Sequence, residues 1–270
     1  MAYTTLKTDL KFNIDVFYTA FKFSHDEKWS FSGEAHDFWE VVFISDGNVI
    51  ATEDEKIYLL QKNNLLIHAP MEFHRIKSAA GSSPKGFIMS FSIKGVLPLA
   101  LKKGVFELSP QEANEYLNIA DKIISVVHKD DNPEFLATET CALLTAFLIK
   151  IGTADRAKRI LSGSQSAREY RKAAEIMANA VCENLSLDEI SQKCSISTSY
   201  LKLLFKNYAG VPPKVYYNNL RIKQAKELLD SGFSSKEISY KMSFSSPNYF
   251  TVFFKAATGM TPFQYKKQNK

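Results

Sequence analysis

The sequence predicts a multidomain α and β protein, with an antiparallel β-barrel or sandwich first and an all-α domain last. Three observations predict this order. Residues 10–93 carry short strand patterns, two helical stripes follow at 111–129 and 134–151, and residues 168–270 contain one helical unit twice. The strands are closely spaced and no helical pattern separates them, which favours an antiparallel barrel or sandwich.

The β-rich part begins with an alternation of apolar and polar residues at Phe12 and Ile14, the period of a half-buried strand. A strand is next predicted at 38–44 (FWEVVFI). The turn signal Asp46-Gly47-Asn48 follows it, so we expect a tight hairpin that leads into the strand beginning at Val49. Further strands are predicted at 65–70 (LLIHAP) and 86–93 (GFIMSFSI).

Two helices are predicted after Ser109-Pro110. The second carries an inner apolar face that includes Leu144 and Phe147. This face is expected either to form a dimer seam or to cover the barrel. Residues 153–167 are polar with Gly and Ser, which is typical of a linker. The predicted domains are 1–108 (β domain), 109–152 (helical dimerisation segment), 153–167 (linker) and 168–270 (helical domain).

Composition and charge restrict the class of protein. The 270 residues are 45% hydrophobic and 23% charged, as in a folded globular chain. Residues 168–270 hold 16 Lys and Arg against 8 Asp and Glu, whereas residues 1–167 hold 18 against 21. This asymmetry favours a polyanion as the partner of the C-terminal part.

The cysteines and the N-terminus indicate the compartment. The three cysteines Cys141, Cys182 and Cys194 have no metal-like spacing and suggest no disulfide framework, which fits a reducing compartment. The first residues lack the apolar run of a signal peptide, and no run approaches the ~18 apolar residues of a membrane span. We therefore expect a cytoplasmic protein without a membrane partner.

A stretch of the C-terminal part is repeated. Ser186–Ser197 and Ser234–Ser245 share seven of twelve residues, and after one inserted residue near Pro247 the similarity continues to Tyr216 and Tyr265. A match at a fixed period indicates a duplicated supersecondary unit. Each copy is predicted to be a short helix, a Ser-rich turn and a longer helix, which is the helix-turn-helix arrangement. The two units are placed at 183–210 and 233–259.

In a helix-turn-helix unit, the N-terminal face of the second helix enters the DNA major groove. An ordinary pair of helical hairpins is the alternative. The duplication, the basic region and the polar exposed positions favour DNA binding. The candidate DNA-contacting residues are Ser197, Thr198, Ser199, Lys202, Lys206, Ser246, Asn248, Thr251 and Lys255. Lys214–Asp230 is predicted to be a helix of about 25 Å that holds the units in successive grooves, which lie about 34 Å apart.

This region resembles the DNA-binding domain of the AraC/XylS family of bacterial transcription regulators, on the Ser199-Tyr200-Leu201 stretch, the linker run from Leu220 to Leu229 and the second-unit run from Ile238 to Tyr265. Two departures stand out. The position after Lys202, often a base-reading Arg in the family, is Leu203, with Val252 as its partner, and the family Gly before Phe244 is Ser243. We therefore expect weaker base contacts, and DNA binding that relies more on phosphate contacts and on DNA shape.

The N-terminal part resembles the cupin-like effector domain of such regulators, on His36…Glu40…Gly47, LLIHAP and His74-Arg75. The resemblance implies an effector pocket inside the barrel. Trp29 and Tyr18 are further candidates for its lining. The effector-binding candidates are His36, Trp39, Glu40, His74 and Arg75. His36, Glu40 and His74 also resemble the metal ligands of cupin enzymes, but Glu34 stands where a first ligand His would be, which favours pocket or structural groups.

The sequence therefore predicts a DNA-binding transcriptional regulator that responds to a small-molecule effector such as a sugar. We expect no catalysis, no cofactor and no bound metal. The expected partners are double-stranded DNA, the effector, a second copy of the chain and, for an activator, RNA polymerase. Two alternatives remain: a metal-dependent cupin enzyme with a helical appendage, and a ligand-independent DNA binder.

Overall fold

The structure is a computed structural model that describes residues 12–95, 101, 104–128, 134–153 and 164–268. Its strands are β1 (Phe12–Ser24), β2 (Trp39–Asp46), β3 (Val49–Glu53), β4 (Lys56–Leu60), β5 (Asn64–His68), β6 (His74–Ser78), β7 (Lys85–Gly95) and β8 (Val105–Glu107). They form a five-stranded sheet, β1-β7-β2-β5-β8, and a three-stranded sheet, β4-β3-β6. Each pairing is antiparallel, as the sequence predicted.

The turn between β2 and β3 does not close a hairpin, so this prediction was wrong. β2 pairs with β5 and β7, whereas β3 pairs with β4 and β6. The chain instead crosses from one sheet to the other at Gly47, whose φ is 70°. A Cβ there would lie 2.9 Å from both Pro84 Cα and Ser82 Oγ, so glycine is needed for conformation and for space. A turn signal reverses the chain but does not choose the pairing partner.

β2 is buried on both faces because it lies between two layers. Trp39, Val41 and Phe43 face the helices that cover the five-stranded sheet. Val42 and Ile44 face the other way, into the apolar space between the two sheets. This position explains why FWEVVFI reads as a nearly continuous apolar run rather than an alternation.

Two helices, α1 (Pro110–Val127) and α2 (Glu134–Thr153), pack on the outer side of the five-stranded sheet. Ser109 and Glu112 form a capping box that starts α1. Leu144 and Phe147 are almost fully buried against this sheet, so they cover the β domain and are not available as a dimer seam. The predicted last residue of α1, Lys129, lies outside the described residues, as does most of the predicted linker.

In the part of the chain that the structure describes, α2 is the one helix long and apolar enough to span a membrane by length and composition. Its window Phe135–Gly152 has a mean hydropathy of 1.5, and 33% of the window is buried. The buried side lies on the sheet, while Phe135, Leu143 and Ile149 on the other side are exposed. An apolar outer face is unusual for a helix that meets only water.

The C-terminal part is helical, as predicted. Its helices are α3 (Gln165–Asn179), α4 (Leu187–Cys194), α5 (Thr198–Tyr208), α6 (Pro213–Asp230), α7 (Ser235–Lys241), α8 (Pro247–Thr258) and α9 (Pro262–Gln268). The pairs α4–α5 and α7–α8 are the two predicted helix-turn-helix units, and α6 is the predicted linker helix. α3 begins within the segment that the sequence indicated as linker.

The two units repeat each other in backbone detail. Ser186 and Ser234 both start the first helix of their unit with a capping box. Ser195 and Ser243 both follow that helix with positive φ, 60° and 53° respectively. Left-handed backbone favours glycine, which gives a physical reason for the glycine that the family carries where this chain has Ser243.

Arg221 of α6 joins the two helix-turn-helix units. It is only 2% exposed, and its guanidinium donates to the carbonyl oxygens of Val181 and Met242, at 3.1 and 2.5 Å, and to the Asn184 side chain. Its charge also lies 4.1 Å from the Phe244 ring centroid. Val181 precedes the first unit, and Met242 and Phe244 belong to the second, so one side chain fixes both relative to α6.

We predict that Arg221→Met strongly destabilises the C-terminal domain. The methionine fills similar space but leaves buried carbonyl oxygens without donors, at a cost on the order of 3 kcal/mol. Denaturant unfolding of the full-length chain measures this change. Glu227→Met, an exposed position on the same helix, serves as the control and should change stability by less than about 0.5 kcal/mol. Equal stability of the two variants would contradict the bracing role of Arg221.

Candidate nucleic-acid interface and ligand pocket

The two recognition helices, α5 and α8, are held by side chains that the sequence predicted as DNA contacts. Ser197 and Ser246 are N-caps, and their hydroxyls accept from Tyr200 N and Tyr249 N. Thr198 Oγ1 donates to Asp188 Oδ1 at 2.8 Å. Thr251 Oγ1 donates to a backbone carbonyl of its own helix, at 2.9 Å. These side chains are therefore engaged in positioning the helices.

The remaining predicted DNA contacts are exposed. On α5 they are Ser199, Lys202 and Lys206, and on α8 they are Asn248 and Lys255. Lysines offer phosphate contacts, and an asparagine amide can pair with the N6 and N7 positions of adenine. The two helices therefore present the same kind of surface, a cation near the helix end and small polar groups near the start.

Two apolar side chains share this surface. Leu203 is 49% exposed and Val252 is 59% exposed, at equivalent positions of α5 and α8. The sequence matched the two as apolar positions and placed Leu203 where the family often has a base-reading Arg, but neither was counted among the predicted contacts. Their exposure makes both available as contacts, because apolar side chains recognise the methyl group of thymine in the major groove.

The β domain contains a cavity of about 400 Å³. Its lining combines aromatic and apolar walls with carboxylate, imidazole and hydroxyl groups. The lining residues are Thr19, Phe21, His25, Trp29, Phe31, Glu34, Phe38, Glu40, His74, Ile76, Ile88 and Ser90. On one wall the rings of His25 and Trp29 stack with centroids 4.0 Å apart.

The polar end of the cavity is a cluster of carboxylates and imidazoles. Glu40 lies 3.3 Å from His74 Nε2 and 3.8 Å from His36 Nε2, and Glu34 lies 3.9 Å from His74 Nε2. Burial alone would raise the pKa of Glu40, but the neighbouring imidazoles of His36 and His74 outweigh it and hold that pKa well below its usual range. Burial opposes the charge of His74, yet Glu40 raises its pKa above the ordinary value.

These four side chains offer ligand atoms within 4.8 Å of one another and could hold a divalent cation. Without a cation, the Glu40 carboxylate favours the protonated form of the His74 imidazole.

Only some of the predicted effector residues line the cavity. Glu40 and His74 line the cavity. His36 Nε2 lies 3.8 Å from Glu40 Oε2. Because β2 begins only at Trp39, the segment before the strand brings these two side chains together, and they do not share a strand face. Trp39 packs under the helices, on the opposite face of β2.

The two further candidates for the lining differ as well. Trp29 is part of the cavity wall. Tyr18 is 49% exposed and stacks on Phe38, with ring centroids 4.8 Å apart.

Arg75 points away from the cavity and contacts the first recognition helix. Its Nη1 donates to Asn207 O at 2.5 Å and to Lys206 O at 3.3 Å, while its Nε donates to Phe31 O in the β domain at 3.1 Å. The last carbonyls of a helix lack partners within the helix, and a cation there also complements the helix dipole. Arg75 therefore ties β6 to the C-terminal end of α5.

The β domain and the first helix-turn-helix unit also share an apolar core. Phe73 lies 5.2 Å from Tyr216, edge to face, and Ile57 belongs to the same buried cluster. Tyr170 OH donates to Asp54 O at 2.8 Å. At Gly33 a Cβ would come within 2.4 Å of Ala209 O. The two domains are therefore closely packed at this place.

A β domain with a ligand-sized cavity, packed on two helix-turn-helix units, defines a ligand-binding DNA-binding regulator. Residues 17–139 match the model of the AraC-like ligand binding domain, and residues 190–268 match a helix-turn-helix domain model. The chain belongs to the AraC family of transcriptional regulators.

Two transcriptional activators are similar to this chain over most of its length. The HTH-type transcriptional activator RhaR of Salmonella dublin is 24% identical over 246 residues, which cover 87% of either chain. The activator RhaS of Pectobacterium carotovorum is 22% identical over 258 residues, 88% of either chain. The crystal structure of ToxT from Vibrio cholerae matches 95% of this chain and 97% of its own, with 15% identity and a TM-score of 0.37.

We predict that Arg75→Ala loosens the end of α5 without changing the cavity. The lost hydrogen bonds are worth about 1–3 kcal/mol, so the amides of Ala209 and Gly210 should exchange hydrogen roughly fivefold faster or more. Hydrogen exchange with mass spectrometry on the full-length chain measures this. Lys85→Ala, which removes an exposed cation from β7, is the matched control. Unchanged exchange in Arg75→Ala would show that the contact does not hold the helix.

Proposed function

We propose that the chain is a cytoplasmic regulator in which a small molecule in the β-domain cavity controls how the first recognition helix meets DNA. It catalyses no reaction. One observation carries the proposal: successive residues of β6 face the cavity and α5 in turn. His74 and Ile76 line the cavity, while Arg75 and Lys77 reach Asn207 O of α5.

Strand geometry makes β6 a short mechanical link. Side chains alternate between the two faces of a strand, so a shift of β6 caused by a ligand at His74 also moves Arg75. A ligand can shift the protein only if it binds one arrangement more tightly than the other. The effector should therefore favour one position of β6, and with it one orientation of α5 relative to α8.

DNA recognition is proposed to combine phosphate contacts with apolar base contacts. Lys206 and Lys255 would neutralise phosphates, and Leu203 and Val252 would contact thymine methyl groups. Neither recognition helix carries an arginine, so the pairing of a planar guanidinium with guanine O6 and N7 is absent from α5 and α8. The preferred site therefore contains two A·T-containing half-elements on one face of the duplex.

The cavity favours a small polar molecule with an apolar face. The rings of Trp29, Phe31 and Phe38 offer stacking surfaces, and Glu40 and Ser90 offer hydrogen-bond acceptors among the polar groups of the lining. A sugar or a related metabolite has this combination of hydroxyl groups and C–H faces.

A homodimer is proposed through the outer face of α2. Phe135 is 84% exposed, and Leu143 and Ile149 lie on the same side of the helix. The sheet-facing side is already covered within the chain, so a second copy is the occupant that fits this apolar face. RNA polymerase would be a further partner if the protein activates transcription, as RhaR and RhaS do by their names.

We predict that Lys206→Ala and Lys255→Ala weaken binding to every duplex. Each lost phosphate contact should lower the slope of log affinity against log salt by about 0.9. Gel shifts at several salt concentrations, on a duplex selected from a random pool, measure this. Lys28→Ala, which removes an exposed cation from the β domain, is the control. Unaltered affinity of both variants at low salt would contradict phosphate contact.

Leu203→Ala and Val252→Ala form the matched set for base recognition. Replacing one contacted thymine by uracil removes a methyl group worth about 0.8 kcal/mol, roughly fourfold in affinity. The affinity of the wild-type chain should fall by this factor on the uracil-containing duplex. The affinity of the variant that lacks the contacting side chain should not fall, and the salt slope of both variants should equal that of the wild-type chain. Equal sensitivity of the wild-type chain and both variants to every uracil substitution would rule out the methyl contacts.

For the effector we predict that at least one member of a panel of monosaccharides raises the thermal stability of the full-length chain, because it binds only the folded state. Glu40→Gln and Trp29→Ala should each abolish the shift, whereas Lys28→Ala should keep it. A shift that survives in Glu40→Gln would place the site elsewhere. No shift with any compound would favour the ligand-independent DNA binder.

For assembly we predict that the full-length chain is a dimer by light scattering and that Leu143→Glu makes it a monomer, since a charge cannot be buried in the seam without large cost. Asn118→Glu, on an exposed position of α1, should remain dimeric. A monomeric wild-type chain would contradict the proposed dimer.

A further inference from the structure

A second cluster of ionisable side chains lies beside the cavity but outside its lining. Glu53 ends β3, His68 ends β5, and Glu72 lies in the loop that leads to β6. His68 and Glu53 are at most 1% exposed. The ligand atoms of the three residues lie within 4.8 Å of one another. Strand pairing therefore brings together a buried imidazole and two carboxylates that are distant in sequence.

This cluster has polar atoms without partners. Among the described residues, neither ring nitrogen of His68 has a hydrogen-bond partner, and neither has Glu53 Oε1. His68 Nδ1 and Glu53 Oε1 nevertheless lie 3.4 Å apart. Buried polar groups are almost always hydrogen-bonded, paired or bound to a metal, so three such atoms in one cluster require an explanation.

Lys56 does not supply that explanation. Its ammonium group lies 3.6 Å from Glu53 Oε2 and 3.9 Å from Glu72 Oε1, and no Lys56 contact is made to Glu53 Oε1 or to His68. Burial disfavours a charge on the imidazole and holds the pKa of His68 below its ordinary value. A neutral imidazole is the form that binds metal ions.

The spacing fits a metal ion. Bonds of about 2.1 Å in tetrahedral geometry place neighbouring ligand atoms about 3.4 Å apart, which equals the distance between His68 Nδ1 and Glu53 Oε1. A carboxylate oxygen of Glu72 lies within 4.8 Å of both other ligand atoms. Three protein ligands would leave further positions for solvent or another ligand.

Neighbouring groups hold the carboxylates in place from outside. Tyr58 OH donates to Glu53 Oε2 at 3.1 Å, and Ala69 N donates to Glu72 Oε2 at 2.9 Å. Both bonds use the second oxygen of the carboxylate and leave the first oxygen for a metal. Metal-binding carboxylates are commonly oriented by hydrogen bonds of this kind.

We propose that Glu53, His68 and Glu72 bind one divalent transition-metal ion, such as Zn²⁺, at a site separate from the effector cavity. One nitrogen and two carboxylate oxygens suit such an ion better than Ca²⁺ or Mg²⁺, which prefer oxygen alone. The site adjoins the domain contact, since Asp54 follows Glu53 and accepts from Tyr170 OH, and its carboxylate lies 3.8 Å from Lys223 Nζ. The ion would fix the turn on which the DNA-binding domain rests.

The nearby Glu34–His36–Glu40–His74 cluster is a competing site, and the experiment must separate the two. Full-length protein treated with chelator is titrated with Zn²⁺ in competition with a chromophoric chelator, and with Co²⁺ for its absorption spectrum. We expect Glu72→Gln to remove one equivalent of bound metal or to lower the affinity for that equivalent by at least about tenfold. Glu34→Gln, the same chemical change in the competing cluster, should leave this equivalent unchanged.

Two further variants complete the test. Tyr58→Phe keeps the ring but removes the hydroxyl that orients Glu53, and it should lower the affinity for the metal by about tenfold. His68→Gln should remove the same equivalent of bound metal. Circular dichroism checks that this variant folds. If it does not fold, Glu72→Gln alone tests the site. The proposal is overturned if the wild-type chain binds no Zn²⁺ at micromolar concentration, or if metal is lost in Glu34→Gln and kept in Glu72→Gln.

Discussion

The contact between Arg75 and the C-terminal carbonyls of α5 is the interaction on which the proposed regulation depends. It exists because β6 is an extended strand at the boundary between two domains, with one face on the cavity and the other on the recognition helix. A helix end with unpaired carbonyls needs donors, and a guanidinium can serve two carbonyls at once. The same strand therefore carries a candidate ligand contact, His74, and a helix anchor, Arg75, as consecutive residues.

The two DNA-binding units are held differently, although their sequences are similar. The first shares a buried core with the β domain, in which Tyr216 of α6 contacts both Phe73 and Phe205 of α5, and it is also bound by Arg75. The second has its own core, which Met71 and the Lys226–Asp37 pair touch only at the edge. Arg221 connects both units to α6. A change in the β domain should thus act first on α5, and it should reach α8 through the rigid linker helix.

The candidate sites were predictable to different degrees. Glu40 and His74 were found because a resemblance marked them, and the cavity contains both. Trp39 was misplaced because a strand between two layers is apolar on both faces, so its pattern does not tell which face meets a cavity. Arg75 was assigned to the effector, although neighbouring positions on a strand point to opposite sides. Leu203 and Val252 were recognised as departures from the family, but their exposure was needed before they could be considered as contacts.

The sequence by itself determined what is local. The helices predicted at 134–151 and 214–230 rest on residues three or four positions apart, and the structure has them to within two residues of those bounds. Only the tertiary structure decided which strands pair across Gly47, where Leu144 and Phe147 are buried, and that Glu53, His68 and Glu72 meet. The physical reason is that burial and pairing depend on contacts between distant segments, and no local pattern specifies which of several apolar surfaces will cover another.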